Sequence, residues 1–221
     1  MNDRGYDAMN TFKNANGKPV LLAMVRAIQS NKAYLGEVDG LIGDGDHGMN
    51  MNKGFTVFEQ RTADKDISFT DGLDELGTIL MNEIGGSMGP IYGTIFIDMA
   101  EAGDGLEEIN LNSLGSMLQA GLDGLQQIVD AKVGDKTLVD TLSPAIESIK
   151  SDAAEGKDFK TALKNLKVVA EKGRDSTKDM VAKFGRSSRL GERSRGVLDA
   201  GATSCCIILT AMADGILEVL E

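Results

Sequence analysis

Apolar residues recur along this chain with the period of an α-helix, whereas runs of alternating β-branched residues are missing. Between Val20 and Ile28 they fall at i, i+1, i+4, i+5 and i+8, which is one stripe of an amphipathic helix. Comparable stripes occupy five later segments: 73–80, 114–128, 142–149, 163–170 and 202–220. We therefore predict a single all-α domain, residues 1–221, of roughly eight helices joined by short loops.

The charge balance excludes several classes of function. The 221 residues include 23 Lys and Arg against 34 Asp and Glu, a formal net charge of −11. Nucleic acids and anionic membrane surfaces attract basic faces of proteins. The sequence therefore predicts no nucleic-acid partner and no membrane partner.

The cysteines and the N-terminal segment bear on the compartment. Cys205 and Cys206 are adjacent and are the only two cysteines, so a disulfide scaffold is excluded. No apolar run reaches the ~18 residues of a membrane span. The segment Met1–Lys18 is too polar for a signal peptide. We expect a soluble, cytoplasmic protein.

Glycine and aspartate are concentrated between Asp39 and Asn50, where Asp39, Asp44 and Asp46 fall within eight residues. Three clustered carboxylates repel one another unless a cation or protons compensate them. Oxygen ligands suit Mg²⁺ or Ca²⁺ rather than zinc, and Asn50 stands where an EF-hand needs a bidentate Glu. The segment is thus interpreted as holding one or two Mg²⁺ ions against a nucleotide. A solvated turn before a capped helix is the alternative.

The chain's one histidine, His47, follows the carboxylates directly. Beside such a cluster an imidazole can contact a phosphate or act as an acid or base. A local hydrogen bond at a helix start explains its position equally well. Asn50 in turn fits either a phosphate contact or a helix cap.

Two further loops are rich in glycine and polar residues. The backbone amides of Gly85–Pro90 can cradle phosphate oxygens at the start of a helix, and a close-packed helix–helix turn is the alternative. The segment Gly134–Leu142 is typical of a helix start, with Asp135 or Thr137 as the cap and Asp140 closing it.

A fourth loop, Gly185–Gly196, places four arginines in an otherwise acidic protein. Because guanidinium groups bind phosphates bidentately, this loop favours a phosphate contact over a merely solubilising role. Together the four loops predict a Mg-nucleotide site, with carboxylates for metal, amides for phosphate and arginine for charge. The sequence has no P-loop and no Rossmann or kinase glycine pattern.

Several motifs, in order along nearly the whole chain, resemble the nucleotide-binding L subunit of dihydroxyacetone kinase, the DhaL family. The most specific motif is the Gly-Asp-Gly-Asp-His-Gly run of residues 43–48. The others are residues 85–86, 89–93, 134–137, 185–186, 190–194 and 199–204. The resemblance implies an up-and-down barrel or bundle of about eight antiparallel helices, forming one L-type nucleotide-binding domain.

The resemblance also implies roles for individual residues. Asp39, Asp44 and Asp46 would hold two Mg²⁺ ions bridged to the nucleotide phosphates. The phosphates would be contacted from two loops, by His47, Gly48, Met49 and Asn50 and by Gly86, Ser87 and Met88. The remaining nucleotide-binding residues are Thr137, Leu138 against the adenine, Arg186, Asp199, Ala200 and Gly201.

Partners follow from the same resemblance. In this family the L subunit carries the nucleotide, and a separate K subunit holds the ketose through a histidine. One branch keeps ADP as a tightly bound cofactor, recharged by a phosphohistidine protein of the phosphotransferase system; the other exchanges ATP. The sequence has no K-type domain, so we expect a partner subunit to be required. No exposed apolar stripe demands a homodimer, which stays open.

Five residues depart from the family pattern: Met88, Val129, Val197, Leu198 and Ala200. These departures leave open whether ADP or ATP is the nucleotide, and whether the ketose is dihydroxyacetone or a relative such as erythrulose. Two other functions are alternatives to the kinase subunit. One is a nucleotide-binding regulatory protein that transfers no phosphoryl group, and the other is a Mg-dependent phosphatase that acts alone.

Overall fold

A computed structural model describes residues 11–221; the first ten residues of the polar segment Met1–Lys18 lie outside the described residues. The described chain forms nine α-helices and one short antiparallel strand pair, so the predicted all-α fold is confirmed. The strands are β1 (Thr11–Lys13) and β2 (Glu108–Asn110). The helices are α1 (Lys18–Ser30), α2 (Lys32–Gly40), α3 (His47–Thr62), α4 (Phe69–Glu83), α5 (Met88–Ala102), α6 (Leu111–Ile128), α7 (Val139–Ala154), α8 (Phe159–Ser176) and α9 (Ala200–Val219).

Eight of these helices, α1 and α3 to α9, form a ring. Each packs against the next in chain order, and α1 packs against α9 to close the ring. The additional helix, α2, packs mainly on α3 and also touches α9. The apolar stripes do not reveal α2, because only Leu35 and Val38 of its nine residues are buried.

One continuous apolar core fills the ring. All five apolar residues of the stripe from Val20 to Ile28 belong to it. Phe12, from β1, packs edge-on against Phe69 of α4, with the ring centroids 5.4 Å apart. Each fully buried Leu, Ile or Phe contributes about 1.5–3 kcal/mol. The core therefore holds the helices in place and leaves the loops free for other roles.

The start of α7 differs from the sequence prediction. Leu138, rather than Asp135 or Thr137, occupies the position before the helix. The Asp140 carboxylate accepts hydrogen bonds from the backbone amides of Gly134 and Thr137, at 2.5 and 2.7 Å. Asp140 thus closes the helix start as predicted, and residues 134–138 form a tight turn in front of it.

The C-terminal helix α9 lies in the core of the fold. By length and composition alone it could cross a membrane, contrary to the expectation drawn from the sequence. However, 72% of its most apolar stretch is buried inside the fold. Cys205 and Cys206, on this helix, are buried free thiols. Packing against neighbouring helices accounts for its apolar composition.

Alternate connections in an up-and-down ring lie at the same end of the ring. The connection from α1 through α2 to α3 is one of them, and those between α4 and α5, α6 and α7, and α8 and α9 are the others. All four glycine-rich loops belong to these connections. The fold therefore gathers at one end the loops that the sequence singles out.

Candidate functional site

The four glycine-rich loops surround one cavity of about 390 Å³. Each loop contributes residues to the cavity wall; they lie within 39–47, 87–91, 129–138 and 184–201. Most of the residues predicted from the sequence lie in this wall. They are Asp39, Asp44, Asp46, His47, Ser87, Met88, Thr137, Leu138, Arg186, Asp199, Ala200 and Gly201.

Four predicted residues do not line the cavity wall, namely Gly48, Met49, Asn50 and Gly86. Gly48 is buried where α3 meets α2, and the Met49 side chain is 58% exposed. The Asn50 side chain forms a hydrogen bond with Asp46. Gly86 has a φ of 73° and open space around it. Phosphate contacts by these four residues remain predictions.

Three carboxylates meet at the connection between α2 and α3. Asp39 lies at the end of α2, Asp46 directly precedes α3, and Asp44 lies in the turn between them. One oxygen of each carboxylate lies within 4.8 Å of the other two. Gly45 has a φ of 76°, a left-handed conformation that lets the chain reverse between Asp44 and Asp46. One short segment thus supplies the whole oxygen cluster.

The electrostatics of this cluster fit a divalent cation. Burial and the neighbouring Asp44 carboxylate raise the pKa of Asp46, and a hydrogen bond from Asn50 offsets this only in part. Like charges that repel one another are compensated when a cation binds between them. The all-oxygen donor set fits Mg²⁺, which keeps water and phosphate oxygens among its ligands.

Arg186 reaches the same cluster from the connection between α8 and α9. Its guanidinium forms an ion pair with Asp44, although its side chain is 67% exposed. An exposed pair of this kind contributes little to stability. The position of the guanidinium is more informative. It places several hydrogen-bond donors beside the carboxylates, where the negatively charged part of a ligand would bind.

His47 is buried at the start of α3 and is bonded to two other helices. Its Nε2 lies 2.8 Å from Ser204 Oγ on α9, and this oxygen lies 2.6 Å from the Tyr92 hydroxyl on α5. Desolvation lowers the pKa of His47 to about 4, so the ring is neutral at pH 7. This buried network fixes the orientation of the imidazole and joins three helices beneath the cavity.

Part of the cavity wall is apolar. Met88, Ile91, Val129 and Phe184 belong to it, together with Leu138, which is 6% exposed. A cavity that combines a carboxylate cluster with apolar side chains suits a ligand that has both a polyanionic and a flat apolar part. Leu138, which the family resemblance places against the adenine, and Val129, one of the departures from the family pattern, both lie in this wall.

Asp199 precedes α9 and caps it. Its Oδ2 accepts a hydrogen bond from the Ala202 amide at 2.7 Å, and its own amide donates to Thr177 Oγ1 at 3.0 Å. Burial raises the pKa of Asp199 to about 6, although the Ala202 amide and the charge of Lys136 act in the opposite direction. The cavity therefore contains a carboxyl group whose pKa, about 6, lies well above its usual value.

We expect Asp199 to destabilise the metal-free protein as the pH rises from about 4 to 6. In this range the folded state retains a proton that the unfolded state, with a carboxyl pKa of about 3.9, has lost, so unfolding becomes easier with increasing pH. Asp199→Asn keeps a good helix cap and removes this titration. We would measure the free energy of unfolding in urea with EDTA. The value for the variant minus that for the wild type should rise by about 2–3 kcal/mol between about pH 4 and 7. A difference in the free energy of unfolding that does not change with pH would contradict this expectation.

The cavity wall also contains residues to which the sequence assigned no role. They are Ile42, Gly43, Ile91, Lys136, Phe184, Gly185 and Ser187. Phe184 is an aromatic side chain that is 38% exposed, a property that the sequence does not reveal. Lys136 is 1% exposed; it belongs to the motif of residues 134–137, but residue type alone does not indicate that it is buried.

A second groove, of about 420 Å³, runs along α6 and α7. It contains one acidic and one basic side chain, Asp123 and Lys150, and is otherwise lined by small, amide or apolar residues. Since binding sites are marked by convergent polar groups, the loop-end cavity is the stronger candidate.

The ring and its cavity define a class of protein: an all-α barrel whose candidate ligand site is built from loops at one end. The chain belongs to the DAK2 domain family, since the DAK2 domain matches residues 41–214. The resemblance noted in the sequence motifs is thereby confirmed.

Individual relatives agree with this assignment. The PEP-dependent dihydroxyacetone kinase, ADP-binding subunit DhaL, of Escherichia coli (strain K12) is 39% identical over 81% of this chain and 86% of its own length. The PTS-dependent dihydroxyacetone kinase, ADP-binding subunit DhaL, of Lactococcus lactis subsp. lactis (strain IL1403) is 35% identical over 85% of this chain and 90% of its own length.

A solved structure supports the fold. The dihydroxyacetone kinase from C. freundii, in complex with AMP-PNP and Mg²⁺, superimposes with a TM-score of 0.68 and 18% identity. The alignment covers 96% of this chain but 36% of that chain, so this protein spans about a third of the larger enzyme.

Proposed function

We propose that this protein is the nucleotide- and Mg-binding subunit of a kinase for dihydroxyacetone or a related short ketose. The observation that carries the proposal is the meeting, in one cavity, of three carboxylates, an arginine and an apolar wall. Its DhaL relatives are ADP-binding subunits of dihydroxyacetone kinases, which supports the same conclusion. We further propose that the whole chain works as a single L-type domain in the cytoplasm.

The residues present suit a metal-assisted phosphoryl transfer. Asp39, Asp44 and Asp46 would hold Mg²⁺, in our proposal two ions, which when bound would neutralise phosphate charge. Arg186, ion-paired with Asp44, is placed to bind a phosphate oxygen once the nucleotide arrives. No residue of this chain needs to become covalently phosphorylated.

The nucleotide would be held from two sides of the cavity. The apolar wall around Leu138 would take the base, and the turn Asp199–Gly201 would lie beside the nucleotide at the start of α9. The backbone amides of Ser87 and Met88, at the start of α5, would donate to phosphate oxygens. An acidic protein needs such amide donors because it has few lysines near the site.

A second subunit would hold the ketose. The chain has one histidine, His47, and its Nε2 is engaged by Ser204 inside the fold, so it is not free to hold a substrate. We therefore propose a separate K subunit as the partner, and a phosphohistidine protein of the phosphotransferase system as the donor if ADP stays bound. A homodimer of this chain is a further arrangement open to test.

The experiment that tests this proposal is the nucleotide content of the gently purified protein, read by anion exchange after denaturation. Stoichiometric ADP that survives dialysis with Mg²⁺ would indicate a bound cofactor, and reversible ATP binding would indicate an exchangeable donor. Either form should phosphorylate dihydroxyacetone when a K subunit is added. Absence of any nucleotide would overturn the proposal. Nucleotide binding without transfer would favour a regulatory protein, and phosphate release by the chain alone would favour a phosphatase.

A further inference from the structure

Lys136 is a buried lysine that the proposed function leaves without a role. It is 1% exposed and lies in the turn of residues 134–138 before α7. Its φ is 60°, and it is the one non-glycine residue with positive φ in residues 11–221. A strained backbone and a buried ammonium both carry a free-energy cost, and such costs are typical of residues that hold a functional site in place.

The ammonium of Lys136 joins two distant points of the chain. Its Nζ donates to the carbonyl oxygen of Thr177 and to that of Val197, each at 2.5 Å. These carbonyls mark the two ends of the connection between α8 and α9. The Gly196 amide also donates to the Lys178 carbonyl at 2.7 Å, so the base of this connection is closed. We call residues 178–196 the arginine loop.

A second link runs from the same turn into the arginine loop. The Lys183 amide donates to the Asp135 carbonyl at 3.1 Å, and the Lys183 ammonium donates to the Asp135 carboxylate at 2.5 Å. The turn of residues 134–138 therefore holds the loop at its base through Lys136 and near its start through Asp135. The same turn places Leu138 in the apolar wall of the cavity.

The tip of the arginine loop is held mainly by hydrogen bonds within the loop, such as that from Ser188 Oγ to the Gly185 carbonyl at 2.7 Å. The Arg186 side chain is 67% exposed and forms an ion pair with Asp44. Gly185 and Gly191 both have positive φ and open space around them. Of the loop's residues, Ala182 and Ser194 are buried, and they are bonded to each other. The place of Arg186 therefore depends on how the base of the loop is held.

We propose that Lys136 is a positioning residue that holds the arginine loop so that Arg186 faces the carboxylate cluster. This inference rests on the proposed function for its effect on phosphoryl transfer. An ammonium suits the task, because it offers three donors at one point and two of them are bonded to the carbonyls of Thr177 and Val197. Asp199, whose charge attracts Lys136, also lines the cavity. The turn of residues 134–138 thus both positions Leu138, which would contact the adenine, and holds the arginine loop that carries Arg186.

The principal test is Lys136→Met, which keeps the length of the side chain and removes its donors. We expect phosphoryl transfer with a K subunit to fall about 100-fold, as when a preorganised cation is lost, while nucleotide affinity stays within about threefold. Trypsin should cleave after Arg189 about tenfold faster or more, because the loop opens more often. Lys172→Met, which removes an exposed lysine of α8, is the matched control and should change none of these readouts.

A double-mutant cycle shows whether Lys136 acts through Arg186. In an Arg186→Ala background, Lys136→Met should cause less than about a threefold further loss of rate. A loss as large as in the wild-type background would overturn the proposal. So would unchanged cleavage after Arg189, or a fall in nucleotide affinity that matches the fall in rate.

Lys183→Ala covers the case in which Lys136→Met does not fold. Lys183 has a 63% exposed side chain, so the variant should fold while losing the ammonium contact with the Asp135 carboxylate and keeping the backbone hydrogen bond to the Asp135 carbonyl. We expect faster cleavage after Arg189 and a smaller, about threefold to tenfold, loss of transfer. Unchanged cleavage and transfer would overturn the proposal. Cleavage after Arg189 can be measured even if the protein binds no nucleotide. This measurement therefore distinguishes a failure of the proposed function from a failure of this inference.

Discussion

Asp46→Asn is expected to abolish Mg²⁺-dependent nucleotide binding and, in the same protein, to raise the Tm measured in EDTA. The two effects have one cause. Asp46 shares the space between α2 and α3 with two other carboxylates, and burial and the Asp44 charge raise its pKa. A neutral amide relieves this repulsion in the metal-free state. The same amide is a poor Mg²⁺ ligand, so we expect the affinity for Mg²⁺ to fall about 100-fold.

The opposite signs of these two effects make the experiment decisive. Mg²⁺ and nucleotide affinity would be measured by calorimetry, and the Tm by thermal unfolding with EDTA. Asp104→Asn, an exposed carboxylate outside the cluster, is the control and should change neither. Wild-type affinity in Asp46→Asn would show that the cluster is not the metal site. A loss of affinity together with a lower Tm in EDTA would show that Asp46 supports the fold instead.

Gly48→Ala should be the most destabilising single-methyl substitution near the site. A Cβ at Gly48 would overlap the Lys32 carbonyl oxygen and lie 2.8 Å from the Gly36 nitrogen. Both neighbours are backbone atoms of α2, so the clash is relieved only by moving α2 away from α3. We expect unfolding free energy to fall by about 3 kcal/mol, at the upper end for overpacked positions, and metal binding to weaken because Asp39 and Asp46 lie on the displaced elements.

Gly85→Ala is the matched control for this substitution. Gly85 has ordinary backbone geometry and no atom within 4 Å of an added Cβ. Its stability should stay within about 0.5 kcal/mol of the wild type in urea unfolding. If both variants were equally stable, the contact between α2 and α3 would be looser than described and Gly48 would have no structural requirement for glycine.

The sequence predicts the fold well where local periodicity is strong. The stripes that became α1, α4 and α6 to α9 are long enough for their period to be read, and all of them contribute to the core. The convergence of the loops also follows from the sequence, because alternate connections of a helical ring share one end. The helix α2 could not be read, because two buried residues in nine do not establish a period.

The parts of the site that depend on long-range contacts could not be predicted from the sequence. Tyr92, Ser204 and His47 are far apart in sequence and meet only because α3, α5 and α9, which are not adjacent in the ring, each direct one of these side chains to the same point. Lys136 is buried because carbonyls some 40 and 61 residues later in the chain close over it. Such burial reverses the usual preference of lysine for the surface, and periodicity carries no information about it.

The contact between α1 and α9 sets an order of events during synthesis. The first helix of the ring, α1, can pack on α3 early, but its second neighbour, α9, is available only after α9 has left the ribosome. Since Asp199 precedes that last helix, the nascent chain has no complete loop-end cavity before this moment. Closure between such distant segments also raises the contact order, which slows folding relative to helical bundles stabilised by local contacts. Under the proposed function, an unfinished chain therefore binds no nucleotide.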